Sequence, residues 1–152
     1  MLAVLRSFII VLMLAIPMRA VCFQGPNDIL GKWISTKKNV VIDVYKVNNQ
    51  FQAKVLWFND TDDANRPMRS RLDIHNPYEN LRNQLILGMD VLEGLSYNSV
   101  THRWEKGKIY DPSSGRHWSS VVYFNKQNQL EVKGYWKLEF IGQTLTFVKY
   151  KI

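Results

Sequence analysis

Three histidines, His75, His102 and His117, and one cysteine, Cys22, are the chain's whole stock of soft metal ligands. A zinc site draws on His, Cys and carboxylate donors at short, repeating intervals. No His or Cys pair here stands at such spacing, so no metal is expected. Acyl-transfer chemistry needs an activated nucleophile, and no serine lies in a Gly-x-Ser-x-Gly elbow. Asp60, Asp62 and Asp63 resemble the start of a calcium loop, but the glycine and the closing glutamate are missing. They read instead as a solvated loop that pairs its own charges with Arg66, Arg69 and Arg71. Asp73, Asp90, Glu105 and Asp111 could supply an acid–base pair only if the fold brought two together; each reads first as a turn or rim residue. No glycine-rich run opens a helix, so no phosphate cradle and no cofactor are expected. The chain leans away from an enzyme, and no catalytic residue is assigned.

Aromatic side chains are the surplus: five Trp, seven Tyr and seven Phe. In a small barrel they fill the interior, or some of them line an apolar pocket with a few polar groups to orient a ligand. The candidate ligand-binding residues are Trp57, Arg82, Trp104, Tyr110, Trp118 and Trp136. Arg82 is the candidate polar contact, since a guanidinium grips carboxylate or phosphate with two prongs. Its structural alternative is a salt bridge to Asp73 or Asp111.

These residues must be positioned by strands. Residues 104–118 read as strand, tight turn, strand. Within the Asp111-Pro112-Ser113-Ser114-Gly115 turn, Pro112 presets φ, the Asp111 carboxylate accepts from nearby N–H groups, and Gly115 takes φ > 0. Residues 40–47 and 51–58 form a second hairpin across Asn48-Asn49, with Phe51, Ala53, Val55 and Trp57 expected on one face. Residues 85–87 and 89–97 return to strand, with bends at Gly88 and Gly94. Residues 130–138 alternate apolar and polar, and residues 143–150 make the last strand. Between them lies one long polar loop, residues 59–84, where Asn76-Pro77-Tyr78-Glu79 predicts a short helical turn capped by Asn76. Strands at this spacing without a long amphipathic helix argue for an all-β sandwich or barrel.

Hydrophobic residues make up 46% and charged residues 22%, which excludes a disordered or wholly membrane-embedded chain. The net charge of +7 is scattered and partly matched by acids, so nucleic acid is not an expected partner. Residues 1–22 read as a signal peptide: Arg6, an apolar run over residues 8–16 too short to span a bilayer, then Pro17. Cleavage is expected after Cys22, with Ala20 the alternative. A lipid anchor on Cys22 is the lesser reading, because Arg-Ala-Val precedes it. Residues 23–28 form a linker and residues 29–152 the barrel domain. The expected location is periplasmic or secreted.

Several pieces in order resemble one family. They are Gly31-Lys32-Trp33, Asp73 with Asn76-Pro77 and Leu81-Arg82, Gly88 before Leu92 and Gly94-Leu95, residues 107–115, and Leu130 through Gly134-Tyr135 to Gly142 and Thr144. Together they resemble the exported bacterial domain-of-unknown-function 2147 family. Trp118, where that pattern usually has tyrosine, and the charged loop before Asp73 depart from it. The resemblance implies a single antiparallel lipocalin-like β-barrel and no established activity. It also implies that Trp33 plugs the closed end beneath Lys149, as in calycin-type barrels. The expected role is non-catalytic binding of a small, partly apolar or amphipathic ligand. The alternative is an envelope protein–protein interaction module with a packed barrel and no ligand, meeting its partner through the long loop or an edge strand.

Overall fold

The computed structural model describes residues 25–151. The leader assigned to residues 1–22, and the first two residues of the linker, lie outside them.

Eight strands follow one another: β1 (Gly31–Ser35), β2 (Val40–Val47), β3 (Gln50–Phe58), β4 (Asp90–Asn98), β5 (Arg103–Asp111), β6 (Arg116–Phe124), β7 (Leu130–Tyr135) and β8 (Gln143–Lys149). Each pairs antiparallel with the next, and β8 pairs back onto β1 through Trp33↔Lys149, Ile34↔Val148 and Ser35↔Phe147. Closure leaves no exposed sheet edge, which removes the edge-strand docking surface considered above. Three single 3₁₀ turns, Met68–Ser70, Glu79–Leu81 and Glu139–Ile141, are the helical elements among the described residues.

The hairpin turns obey local chemistry. Asn48 and Asn49 both adopt positive φ, 47° and 66°, as a two-residue turn between twisted strands requires. At the β5–β6 turn, Asp111 accepts from the Ser113 N–H at 2.9 Å and from both serine hydroxyls at 2.6 Å. Burial alone would raise the Asp111 carboxyl, but these hydrogen bonds outweigh it and hold the group below the usual carboxylate range.

One end of the barrel is packed solid. Trp33, Phe51, Leu95, Trp104, Leu130 and Phe147 all lie buried there, over Ile29. The Trp33 indole donates to the Ile29 carbonyl at 2.8 Å, and Trp104 donates to the Pro26 carbonyl at 2.9 Å. Pro26, in the stretch expected to be a plain linker, thus supplies a carbonyl acceptor to a core tryptophan. Lys149 lies 4.3 Å over the Trp33 ring and donates to the Leu30 carbonyl. This is the arrangement that the family resemblance implies.

Three local expectations are corrected. Residues 85–87 form no strand; a single bridge, Leu72↔Leu85, replaces it, and the Ile86 amide turns to the Arg71 carbonyl. The helical turn starts at Glu79 rather than Pro77, with Tyr78 in the capping position and no side-chain cap. Asn76 is committed elsewhere: its side-chain Oδ1 accepts from the Tyr78 amide and its side-chain NH₂ donates to Asp73. The alternation of β7 stops at Tyr135, because the chain leaves the sheet there and Gly142 returns it tightly against Gly134.

Candidate functional site

The other half of the barrel is hollow. It holds a cavity of about 1200 Å³. Ile42, Val132 and Phe147 belong both to the packed core and to the cavity wall, so they form its floor. Val40, Val55, Phe58, Val91, Ile109 and Trp118 extend the apolar wall from five consecutive strands, β2 to β6. Lys37, Asp62, Arg66, Arg71, Asp111 and Lys137 supply its charged groups. A mostly apolar wall with a few polar groups is the usual make-up of a small-molecule site.

The long loop forms part of that wall. Leu72, Ile74, His75 and Ile86 all face the cavity. The loop is fastened by Asp73, which is fully buried. Both its carboxylate oxygens lie 2.8 Å from the Tyr110 hydroxyl on β5, and Asn76 donates to one of them at 2.6 Å. Burial, then the bond to Asp73 and its charge, push the Tyr110 phenol well above its ordinary value. A second fastening is steric. A Cβ on Gly115 would lie 1.9 Å from the His75 carbonyl oxygen, so the β5–β6 turn and the loop meet backbone to backbone.

The outer part of the loop pairs its own charges, as expected. Arg71 Nη1 donates to both oxygens of Asp62 at 2.9 and 3.0 Å, its guanidinium stacks over Phe58, and Arg66 reaches Asp63 at 2.6 Å. Hydrogen bonding by these arginines holds Asp62 and Asp63 below the usual carboxylate range. Asp60 accepts from the Met68 amide instead.

The six candidate residues separate into two groups. Tyr110, Trp118 and Trp136 line the cavity, the last two with rings 6.1 Å apart. Trp104, Trp57 and Arg82 are not on its wall. Trp104 is fully buried at the packed end, against Phe51, Tyr97 and Phe124. Trp57 faces outward, 39% exposed. The register explains it: Ile42 pairs with Val55 but Val41 pairs with Trp57, so Leu56 is an extra residue. Such a bulge reverses the face of everything beyond it. Phe58 therefore takes the inward place that alternation assigns to Trp57. Arg82 donates to the Asn76 carbonyl at 2.8 Å and pairs with Glu79 at 3.6 Å. Neither Asp73 nor Asp111 is its partner, and no carboxylate pair gathers around it. Asp73 is held by Tyr110 and Asn76, Asp111 by its own turn.

The cavity residues missed from sequence are mostly aliphatic: Val40, Ile42, Val55, Ile109 and Val132. Their inward alternation was visible, but alternation is identical for a core residue and a cavity residue. Among the described residues no group of three or more His, Cys, Asp or Glu could hold a metal ion.

An up-and-down antiparallel barrel of eight strands, packed at one end and hollow at the other, is a lipocalin-like barrel. The family model described as an uncharacterized protein conserved in bacteria, DUF2147, matches residues 31–149, and the chain belongs to that family. The chain is similar in structure to a protein described as HP1028 from the human pathogen Helicobacter pylori, which belongs to the lipocalin family. The TM-score is 0.65 at 21% identity, over 80% of this chain and 82% of the other. At that identity the likeness shows the fold. No curated protein matches the chain significantly.

Proposed function

We propose that this protein is an exported, lipocalin-like carrier that holds a small, partly apolar ligand non-catalytically in the barrel cavity. The single observation behind the reading is the apolar hollow of about 1200 Å³ above a packed floor. Drug-sized ligands are enclosed by clefts of roughly 300–1,000 Å³, so the space is sufficient. Tyr110, Trp118 and Trp136 offer aromatic walls, and Lys37 and Lys137 supply cations for an acidic end. Residues 1–22 act as the export signal in this reading.

Native mass spectrometry of the mature protein, taken from its export compartment before any denaturing step, is the test. A retained small-molecule mass, lost on denaturation, supports the carrier. A bare mass that persists after incubation with a lipid extract sinks it. Ile109→Trp, which places a larger ring on the cavity wall, is expected to abolish the adduct while leaving the fold intact.

A further inference from the structure

The six residues between β7 and the last 3₁₀ turn's end, 136–141, carry four largely exposed apolar side chains at the rim of the barrel. Trp136 is 69% exposed, Leu138 51%, Phe140 78% and Ile141 71%. Exposed apolar residues scattered singly are ordinary, but a contiguous cluster marks an interaction surface.

The segment is built to hold these side chains outward. Its 3₁₀ turn closes through the Ile141 amide to the Leu138 carbonyl and the Gly142 amide to the Glu139 carbonyl, both at 3.1 Å. Glu139, the one acid in the segment, is consumed by an ion pair with Arg103 on β5. Gly142 packs so closely that a Cβ would lie 2.5 Å from the Gly134 carbonyl oxygen. The apolar side chains therefore cannot fold back onto the sheet without breaking both anchors.

The charge around the segment is positive. Lys137 lies within it and Lys37 lines the same cavity, while Arg66 and Arg71 of that lining are already balanced by Asp63 and Asp62. Asp111, the remaining carboxylate of that lining, keeps its charge but is turned onto Ser113 and Ser114 in its own turn, so Lys37 and Lys137 are the cations left facing out. Trp136, Leu138 and Ile141 also line the cavity, so the exposed cluster lies at its opening.

We propose that residues 136–141 dock the barrel on an anionic phospholipid bilayer. Phe140 and Ile141 enter the acyl boundary, Trp136 sits at headgroup level, and Lys137 and Lys37 meet lipid phosphates. Trp belongs at that depth because its ring is amphipathic, and cations near an anionic leaflet strengthen a weak apolar anchor. The charge complementarity selects the bilayer over a second copy of this chain, which would bring the same cations face to face. Docking in this way turns the cavity opening toward the membrane. The proposal does not rest on the cavity being filled.

The test is flotation of the folded protein with vesicles of phosphatidylglycerol and phosphatidylcholine, against pure phosphatidylcholine. Binding to the anionic vesicles is expected, weakened by salt and about tenfold poorer on the neutral ones. The double substitution Phe140→Ser, Ile141→Ser should lower anionic-vesicle affinity at least about tenfold, since it removes the inserted apolar groups. Its near-UV circular dichroism should stay that of the parent. Lys137→Glu should weaken binding to the anionic vesicles and leave the neutral ones unaffected. No binding to anionic vesicles at low salt overturns the proposal. So does binding that the double substitution leaves unchanged, which is general attraction of a basic protein. Sedimentation as a dimer that the double substitution splits also overturns it, since a second copy then covers the cluster.

Discussion

The Tyr110 hydroxyl donates to the buried carboxylate of Asp73, joining β5 to the long loop across 37 positions of chain. A carboxylate removed from water demands hydrogen bonds, and Asp73 obtains them from Tyr110 and Asn76. The pair turns a polar loop into a fixed wall of the cavity. Tyr110→Phe should cost roughly 1–3 kcal/mol, because it leaves a buried acceptor short of a partner. Urea unfolding measures the loss. Hydrogen exchange should show it concentrated in residues 72–85.

Alkali should weaken the fold through the same contact. The folded Tyr110 phenol is raised above its ordinary 10.0, so the folded state keeps a proton that the unfolded chain releases. Its contribution is full below pH 10 and is lost as pH rises from there through the folded value. Tyr45, pushed up to about 12 by burial and by its hydrogen bond to Asp90, acts in the same direction. Stability measured between pH 9 and 11 should fall, and fall less steeply in Tyr110→Phe. An equal slope in both proteins would remove Tyr110 as a source.

Two glycines with positive φ should respond differently to alanine. Gly115, at φ 68°, faces the His75 carbonyl, and a methyl there has no room. Gly88, at φ 84°, has nothing within 4 Å of its missing Cβ. Gly88→Ala should cost only the left-handed conformation, roughly 1–2 kcal/mol. Gly115→Ala should exceed that, because the loop must also shift. Thermal unfolding of both variants compares them directly.

Arg82→Ala should separate stability from binding. Arg82 holds the Asn76 carbonyl and sits off the cavity wall. The substitution should cost about 1 kcal/mol. It should leave any ligand adduct in native mass spectra unchanged. Loss of the adduct at full folding would place Arg82 in the site after all.

At the packed end, Lys149→Met removes the ammonium over Trp33 and its bond to the Leu30 carbonyl. Burial already lowers the Lys149 ammonium below its ordinary value, partly offset by the charge of Asp28. The expected loss is about 1 kcal/mol, against about 3–5 for Trp33→Ala, which opens a core void. Chemical denaturation should preserve that order.

Most of the strands and turns are legible in the chain alone. Alternation with period two, Asn48-Asn49, and Asp111 through Gly115 are local signals, and each was read from neighbours within a few positions. The charge pairing of Asp62 and Asp63 with Arg71 and Arg66 was legible for the same reason. Which end of the barrel is packed and which is hollow emerges only once the strands close on one another. Trp104 and Trp118 look alike in sequence, both aromatic and both on strands of one hairpin. Trp104 lies near the start of β5, far from the turn, and pairs with Val122 at the packed end, whereas Trp118 follows the turn closely, pairs with Ile109 and lies on the cavity wall. The bulge at Leu56 shows only in the β2–β3 register, and it turns Trp57 out and Phe58 in. Asp73 finds Tyr110, rather than Arg82, because closure brings β5 beneath the loop. Height along the axis, bulge position and loop contacts are set by pairing between distant strands, and no short window of sequence encodes them.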